Sequence, residues 1–164
     1  MLKSKSLCLF LTVGVISVGF LVKSHSAHAA SASANISQSV ITALSIAKVS
    51  DLNFGEAPQG DAAKTVAPGS DDNTNNASFN VAGEKGRSYT ISLPTDGSTT
   101  ITTGDGSTDK VIHVDQFKSF PENTGQLSAD TGSSLLLVGA TRAALSQTQT
   151  PGAYAGQFAV TVVY

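Results

Sequence analysis

The sequence predicts an all-β chain, an immunoglobulin-like antiparallel β-sandwich of one domain that follows a signal peptide. Three observations carry this expectation. Apolar residues recur at alternate positions and not at helical spacing. Turn-forming residues, including 15 glycines, punctuate the chain at short intervals. Charged residues make up only 13% and Ser, Thr and Ala are abundant, a composition poor for a helical bundle. A small closed barrel is the alternative, because alternation shows which side of a strand is buried but not how sheets close.

The chain has 164 residues, enough for one compact domain. Lys3 and Lys5 precede an apolar run from Leu7 to Val22, and Ala27-His28-Ala29 supplies a small-x-small cleavage pattern. Residues 1–29 therefore read as a secretory leader; an uncleaved anchor is the alternative. Removing the leader takes away Cys8 and leaves His113 as the remaining histidine. No thiol chemistry, disulfide or multi-histidine metal site is then available, so no cofactor or metal is expected. The weakly acidic balance gives phosphate no counter-charge, which disfavours nucleic acid. No membrane span is expected after cleavage, and the product is expected in the periplasm, at the cell surface or outside the cell.

Residues 30–48 form the next segment, with residues 49–164 as the sandwich domain. Ala32, Ala34, Ile36, Val40, Leu44 and Ile46 occupy one face of an extended strand, interrupted by Gln38 and Thr42, and serines take most of the other face. A short strand is expected at Leu52–Gly55 and another around Ala63–Ala67. Ser70 to Asn76 reads as a polar loop. Ala77–Ala82 and Arg87–Leu93 flank Gly83-Glu84-Lys85-Gly86, a local hairpin signal. Thr99–Thr103 and Lys110–Phe117 form a second expected hairpin across Gly104-Asp105-Gly106. Pro121 to Gly132 reads as loop, and Leu135–Leu145 as one bent strand or two short ones. The clearest strand is Tyr154–Tyr164, in which Tyr154, Gly156, Phe158, Val160, Val162 and Tyr164 alternate with the remaining residues. About eight short strands suffice for a sandwich.

The two extended segments suggest exchange between copies. An apolar, weakly charged strand near residue 30 suits addition to a neighbour's sheet edge, and the Tyr154–Tyr164 row suits the accepting edge. Pairing of both strands within one copy is the competing arrangement, and periodicity does not separate the two.

Leu52-Asn53-Phe54-Gly55, Phe79-Asn80-Val81-Ala82-Gly83 with Tyr89-Thr90-Ile91-Ser92-Leu93, and above all Gly152 to Tyr164 resemble a bacterial family of secreted proteins built on a domain of unknown function. That family is similar to subunits of chaperone-usher pili. The resemblance implies an incomplete, pilin-like sandwich, covered first by a periplasmic chaperone and then by another subunit's strand. It also implies a non-enzymatic fimbrial role. Typical pilins have a penultimate tyrosine and paired cysteines, whereas Tyr164 is last here and the processed chain lacks cysteine. A monomeric secreted binding module is the alternative function, with contacts from the Ser70–Asn76 and Glu122–Gly132 loops.

Catalytic constellations are weak. His113 and Asp115 share a strand face, but no nucleophile elbow accompanies them. Asp71, Asp72, Asn73 and Asn75 resemble the opening of a calcium loop, although Asn76 stands where its turn glycine belongs and Ala82 where its closing Glu belongs.

Overall fold

The structure, a computed structural model, describes residues 29–69 and 75–164. The expected leader, apart from Ala29, and Asp71, Asp72 and Asn73 of the calcium-like loop lie outside the described residues. Residues 29–38 form a unit separate from residues 39–164; they contain no strand and are exposed throughout.

Residues 39–164 are all-β and antiparallel. The strands are β1 (Ser45–Ser50), β2 (Lys64–Val66), β3 (Ala77–Ala82), β4 (Ser88–Ser92), β5 (Thr99–Thr102), β6 (Val111–Phe120), β7 (Thr124–Gln126), β8 (Ser133–Arg142) and β9 (Thr161–Val163). A six-stranded sheet runs β1-β3-β8-β6-β5, with β2 also pairing β8, and curls into a half-barrel. A three-stranded sheet runs β7-β4-β9.

Strand β8 organises the large sheet. Its first part pairs β3 from Ser133↔Ala82 to Val138↔Ala77, and its last part pairs β2 from Ala140↔Val66 to Arg142↔Lys64. Between them stands Gly139, where a Cβ would lie 2.0 Å from the Val66 carbonyl oxygen. Glycine is needed there because the chain leaving β2 crosses directly over β8. The opposite edge of β8 pairs β6, with a bulge between Asp115 and Lys118. Gln116 takes a positive φ of 52° in this bulge, and its amide donates to Asp96 Oδ1 at 2.7 Å.

The core lies between the sheets. Ala77, Val81, Leu136 and Val138 come from the large sheet, Tyr89 and Ile91 from the small one, and Leu127 from the chain just after β7. Leu44, Ile46, Phe79, Phe117, Phe158, Val160 and Val162 pack around them. Burying one such aliphatic side chain contributes about 1.5–3 kcal/mol.

Several elements match the expectations and several do not. The Thr99–Thr103 and Lys110–Phe117 hairpin is present as β5 and β6, turned through Gly104 and Gly106 at positive φ. Leu135–Leu145 lies on one strand through Arg142, not two. Gly83–Gly86 does reverse the chain, but β3 and β4 enter different sheets, so it is no hairpin. The physical reason is burial: Val81 on β3 and Tyr89 and Ile91 on β4 all face the same core, which requires crossing from one sheet to the other. Leu52–Gly55 is not a strand. The Asn53 amide donates to the Asn75 carbonyl at 2.8 Å, and the Asn53 side chain accepts the Gly55 amide at 2.7 Å, so the segment closes as a turn with Gly55 at positive φ. The expected loop Pro121–Gly132 contains β7, which is held by its ladder to β4. The strand expected over residues 30–46 begins only at Ser45, and that over Tyr154–Tyr164 narrows to Thr161–Val163 plus a single bridge between Ala155 and Thr102.

Gly139→Ala is expected to destabilise the domain by about 1–3 kcal/mol, because the added methyl separates β2 from β8. Urea unfolding monitored by circular dichroism measures this; an unchanged midpoint would show that the two strands are not in close contact.

Candidate functional site

Beyond the shared core, the concave face of the large sheet opens into a cleft of about 1280 Å³. One lip is the end of β1 and the chain following it, from Ser50 to Gln59, and the other is the chain preceding β9, from Gln149 to Phe158. The floor comes from β3, β5, β6 and β8. At one end Phe158 stands edge-on to Phe79 at 6.2 Å between ring centroids and tilts against Phe117 at 5.1 Å. Such geometry gives aromatic pairs about 0.5–1.5 kcal/mol beyond burial.

The other end of the cleft is polar. Arg142 is 3% exposed, and its Nη2 donates to Asp61 Oδ2 at 2.6 Å and to the Ala62 carbonyl at 3.0 Å. Its Nη1 donates to the Ala143 carbonyl at 2.9 Å, while Nε has no partner among the described residues. Gln149 is also buried and donates to the Asp109 carbonyl at 2.8 Å, and the Tyr154 hydroxyl donates to the Thr150 carbonyl at 2.7 Å. The Thr150 hydroxyl bound to Asp109 holds that carboxyl below its usual range and ties this lip to the β5–β6 turn.

The second lip borders an open sheet edge. Among the described residues, strand β9 is the last strand of its sheet and pairs only β4. Before it, Gly156–Ala159 stand in no ladder, and no backbone hydrogen bond joins them to the other described residues. Side chains here still alternate, with Phe158, Val160 and Val162 half-buried and Gln157, Ala159 and Thr161 exposed. The backbone therefore presents donors and acceptors along an edge whose inward side chains already belong to the core.

A third feature bounds the chain before β1. The Tyr164 hydroxyl donates to the Thr42 carbonyl at 2.9 Å and accepts the Glu84 amide at 2.5 Å. The Glu84 carboxylate accepts the Thr42 amide at 2.8 Å, and the Arg87 guanidinium lies 5.2 Å from the Tyr164 ring centroid. Gly83 permits this approach, since a Cβ there would meet the Tyr164 hydroxyl at 2.2 Å. Thr42 is thus clasped on both its amide and its carbonyl.

The structure distributes the expected interface residues as follows. Ala32, Ala34, Ile36 and Val40 are exposed and outside any ladder, with Ile36 at 99% and Val40 at 86%. Leu44 packs against the core, and Ile46 pairs Val81 within its own chain. Phe158, Val160 and Val162 meet that same core. Tyr154 sits on the polar lip, Gly156 lies against the Thr100 carbonyl and Tyr164 forms the clasp. Sequence reasoning passed over Arg142, Phe79 and Phe117 as site residues. Arg142 had a signal, because it continues the alternate row Leu136, Val138, Ala140 and so places a charge on a buried face.

The family model described as Domain of unknown function (DUF4402) matches residues 44–164. The chain belongs to that family. The match begins at Leu44, the first core-packing residue after the clasp, and runs through Tyr164. The exposed residues 29–43 precede it. No curated protein and no solved structure gives a significant match. Among the described residues no group of acidic, histidine or cysteine side chains is placed to hold a metal, and Asp115 accepts the Gly97 amide at 2.6 Å as a turn anchor.

The clasp is pH-dependent. The hydrogen bond from the Thr42 amide holds the Glu84 carboxyl below its ordinary value of 4.5, with Arg87 adding a smaller pull in the same direction. Because the folded value is the lower one, the stabilising contribution is complete above 4.5 and is lost as pH falls through the folded value. The Thr42 amide resonance is expected to move as the pH is lowered below 4.5, and Glu84→Gln to abolish that titration. A Thr42 amide that titrates identically in the variant would rule out the contact.

Proposed function

We propose that this protein is a non-enzymatic, extracytoplasmic structural subunit of pilin-like type that assembles by strand addition. In this reading the two sheets form an immunoglobulin-like sandwich that lacks one strand beside β9. The missing strand comes from residues 30–41 of another copy or of a related subunit, and a periplasmic chaperone covers the same edge before assembly. The donor ends before Thr42, because Thr42 is clasped and Leu44 and Ile46 serve the core of their own copy.

The observation that carries this reading is the open edge at Gly156–Ala159 above an apolar cleft, in a chain that also has an uncovered apolar row at Ala32, Ala34, Ile36 and Val40. Edge and row suit each other. An unpaired edge supplies main-chain hydrogen bonds, and alternate side chains entering the cleft supply register. A strand of the open length, from Gly156 to Val163, spans about 26 Å at 3.3 Å per residue, and residues 30–41 are long enough to cover it. Linked head to tail, such contacts need not close into a ring.

Deleting residues 30–41, which leaves Thr42 in its clasp, is expected to convert concentration-dependent oligomers into monomers of lower thermal stability, and a peptide of that sequence is expected to raise the melting temperature as it saturates the cleft. Sedimentation and thermal unfolding measure the two effects. A monomer indifferent to both deletion and peptide would support a monomeric secreted binding module instead.

A further inference from the structure

The apolar row of the exposed arm has one polar break, and the cleft floor has one buried arginine. Gln38 stands between Ile36 and Val40 at alternate spacing. On the cleft floor Arg142, Val114 and Thr99 are aligned across β8, β6 and β5, with Ile112 and Ile101 forming the next row on one side. Phe117, Ala77 and Phe79 lie on the other side. We propose that Gln38 of one copy seats its side-chain carbonyl on Arg142 of the next and so sets the register of the added strand. This inference rests on the strand-addition reading and specifies which residue of the arm meets which residue of the cleft.

The chemistry on each side fits. Arg142 uses three of its five N–H donors on Asp61, Ala62 and Ala143, which leaves Nε–H and one Nη1–H of the guanidinium unpaired among the described residues. A buried unpaired donor costs about 1–3 kcal/mol, so an acceptor arriving from outside the chain recovers that cost only when it arrives in register. Gln38 supplies such an acceptor in its side-chain carbonyl. In this register Val40 meets the Ile112–Ile101 row. Ile36 comes beside Phe117, and the small Ala34 and Ala32 reach the region that Phe79 and Phe158 already fill. A slip by two residues would place an apolar side chain on Arg142 and Gln38 among apolar neighbours, leaving polar groups unsatisfied at both places.

The clasp selects the direction. With Gln38 at Arg142, an arm running toward the phenylalanines from residue 38 onward would have to bury Thr42, whose amide and carbonyl are held by Glu84 and Tyr164 of its own copy. The arm therefore runs the other way, with residue 32 at the phenylalanine end and Val40 leaving past Ile101. The chain before β9 runs from the Ala155–Thr102 bridge toward Phe158 at the phenylalanine cluster, so the added strand is antiparallel to it. A single residue, Ile41, then separates Val40 in the cleft from Thr42 in the clasp, which brings successive copies close together.

The test uses the full chain with substitutions at exposed residue 38, where folding is not at stake, read by sedimentation velocity over a concentration series. Gln38→Leu is expected to weaken association about tenfold and Gln38→Lys to abolish it, whereas Gln38→Glu retains it. Val40→Asp serves as a probe of strand addition that does not touch Arg142 and is also expected to abolish association. If the Leu and Lys variants associate as the unaltered chain does while Val40→Asp fails, the register is wrong and strand addition stands. If the unaltered chain does not associate and Val40→Asp changes nothing, the strand-addition reading itself falls and the register with it.

Discussion

An imbalance of area between the two sheets is the constraint on which the rest of the molecule depends. Six strands curl around an apolar concave face, and three strands contribute to covering it. Where the small sheet ends, two stretches outside the named strands, residues 51–59 and residues 149–158 with their single bridge at Ala155, are left to border what remains. The cleft is thus a consequence of strand number. The aromatic side chains at its inner end and the arginine at its outer end follow from which residues alternate inward on β3, β6 and β8.

The same imbalance explains why β9 is both firmly placed and incompletely bonded. Its Val162, with Phe158 and Val160 before it, is drawn onto the core by burial, a non-directional force that needs no neighbouring strand. Its backbone needs a directional partner, and β4 provides one on a single side. Gly156–Ala159 show the difference most plainly, since they keep the alternation of a strand while lacking its ladder. The Tyr164 clasp then stabilises the end of this segment by tying it to Thr42 and to the turn that carries the chain between sheets.

How much was legible in the residues depended on the range of the interaction. The β5–β6 hairpin was readable because its turn glycines and its alternation lie within twenty residues of one another. The reversal at Gly83–Gly86 was equally readable, yet its consequence was not: a local signal specifies that the chain turns, and only the partners of β3 and β4 specify that it changes sheet. β7 was invisible for a related reason. It is short, contains Gly125, and exists because β4 offers it a ladder. Arg142 was overlooked as a site residue because its significance comes from the concavity around it, although its place in the inward row of β8 was available from alternation.

By itself, the sequence determined that the chain is β-rich, which side chains of each strand turn inward, where most reversals fall, and that an apolar row precedes the folded body. These are properties of period and local backbone preference, and they need no knowledge of neighbours. The tertiary structure alone decided that β1 pairs within its own chain, that β9 stands at an edge, and that Arg142 and the phenylalanines border one cleft. Strand partnership is settled by competition among distant segments for the same hydrogen bonds and the same buried surface, and that competition has no outcome until the whole chain is in place.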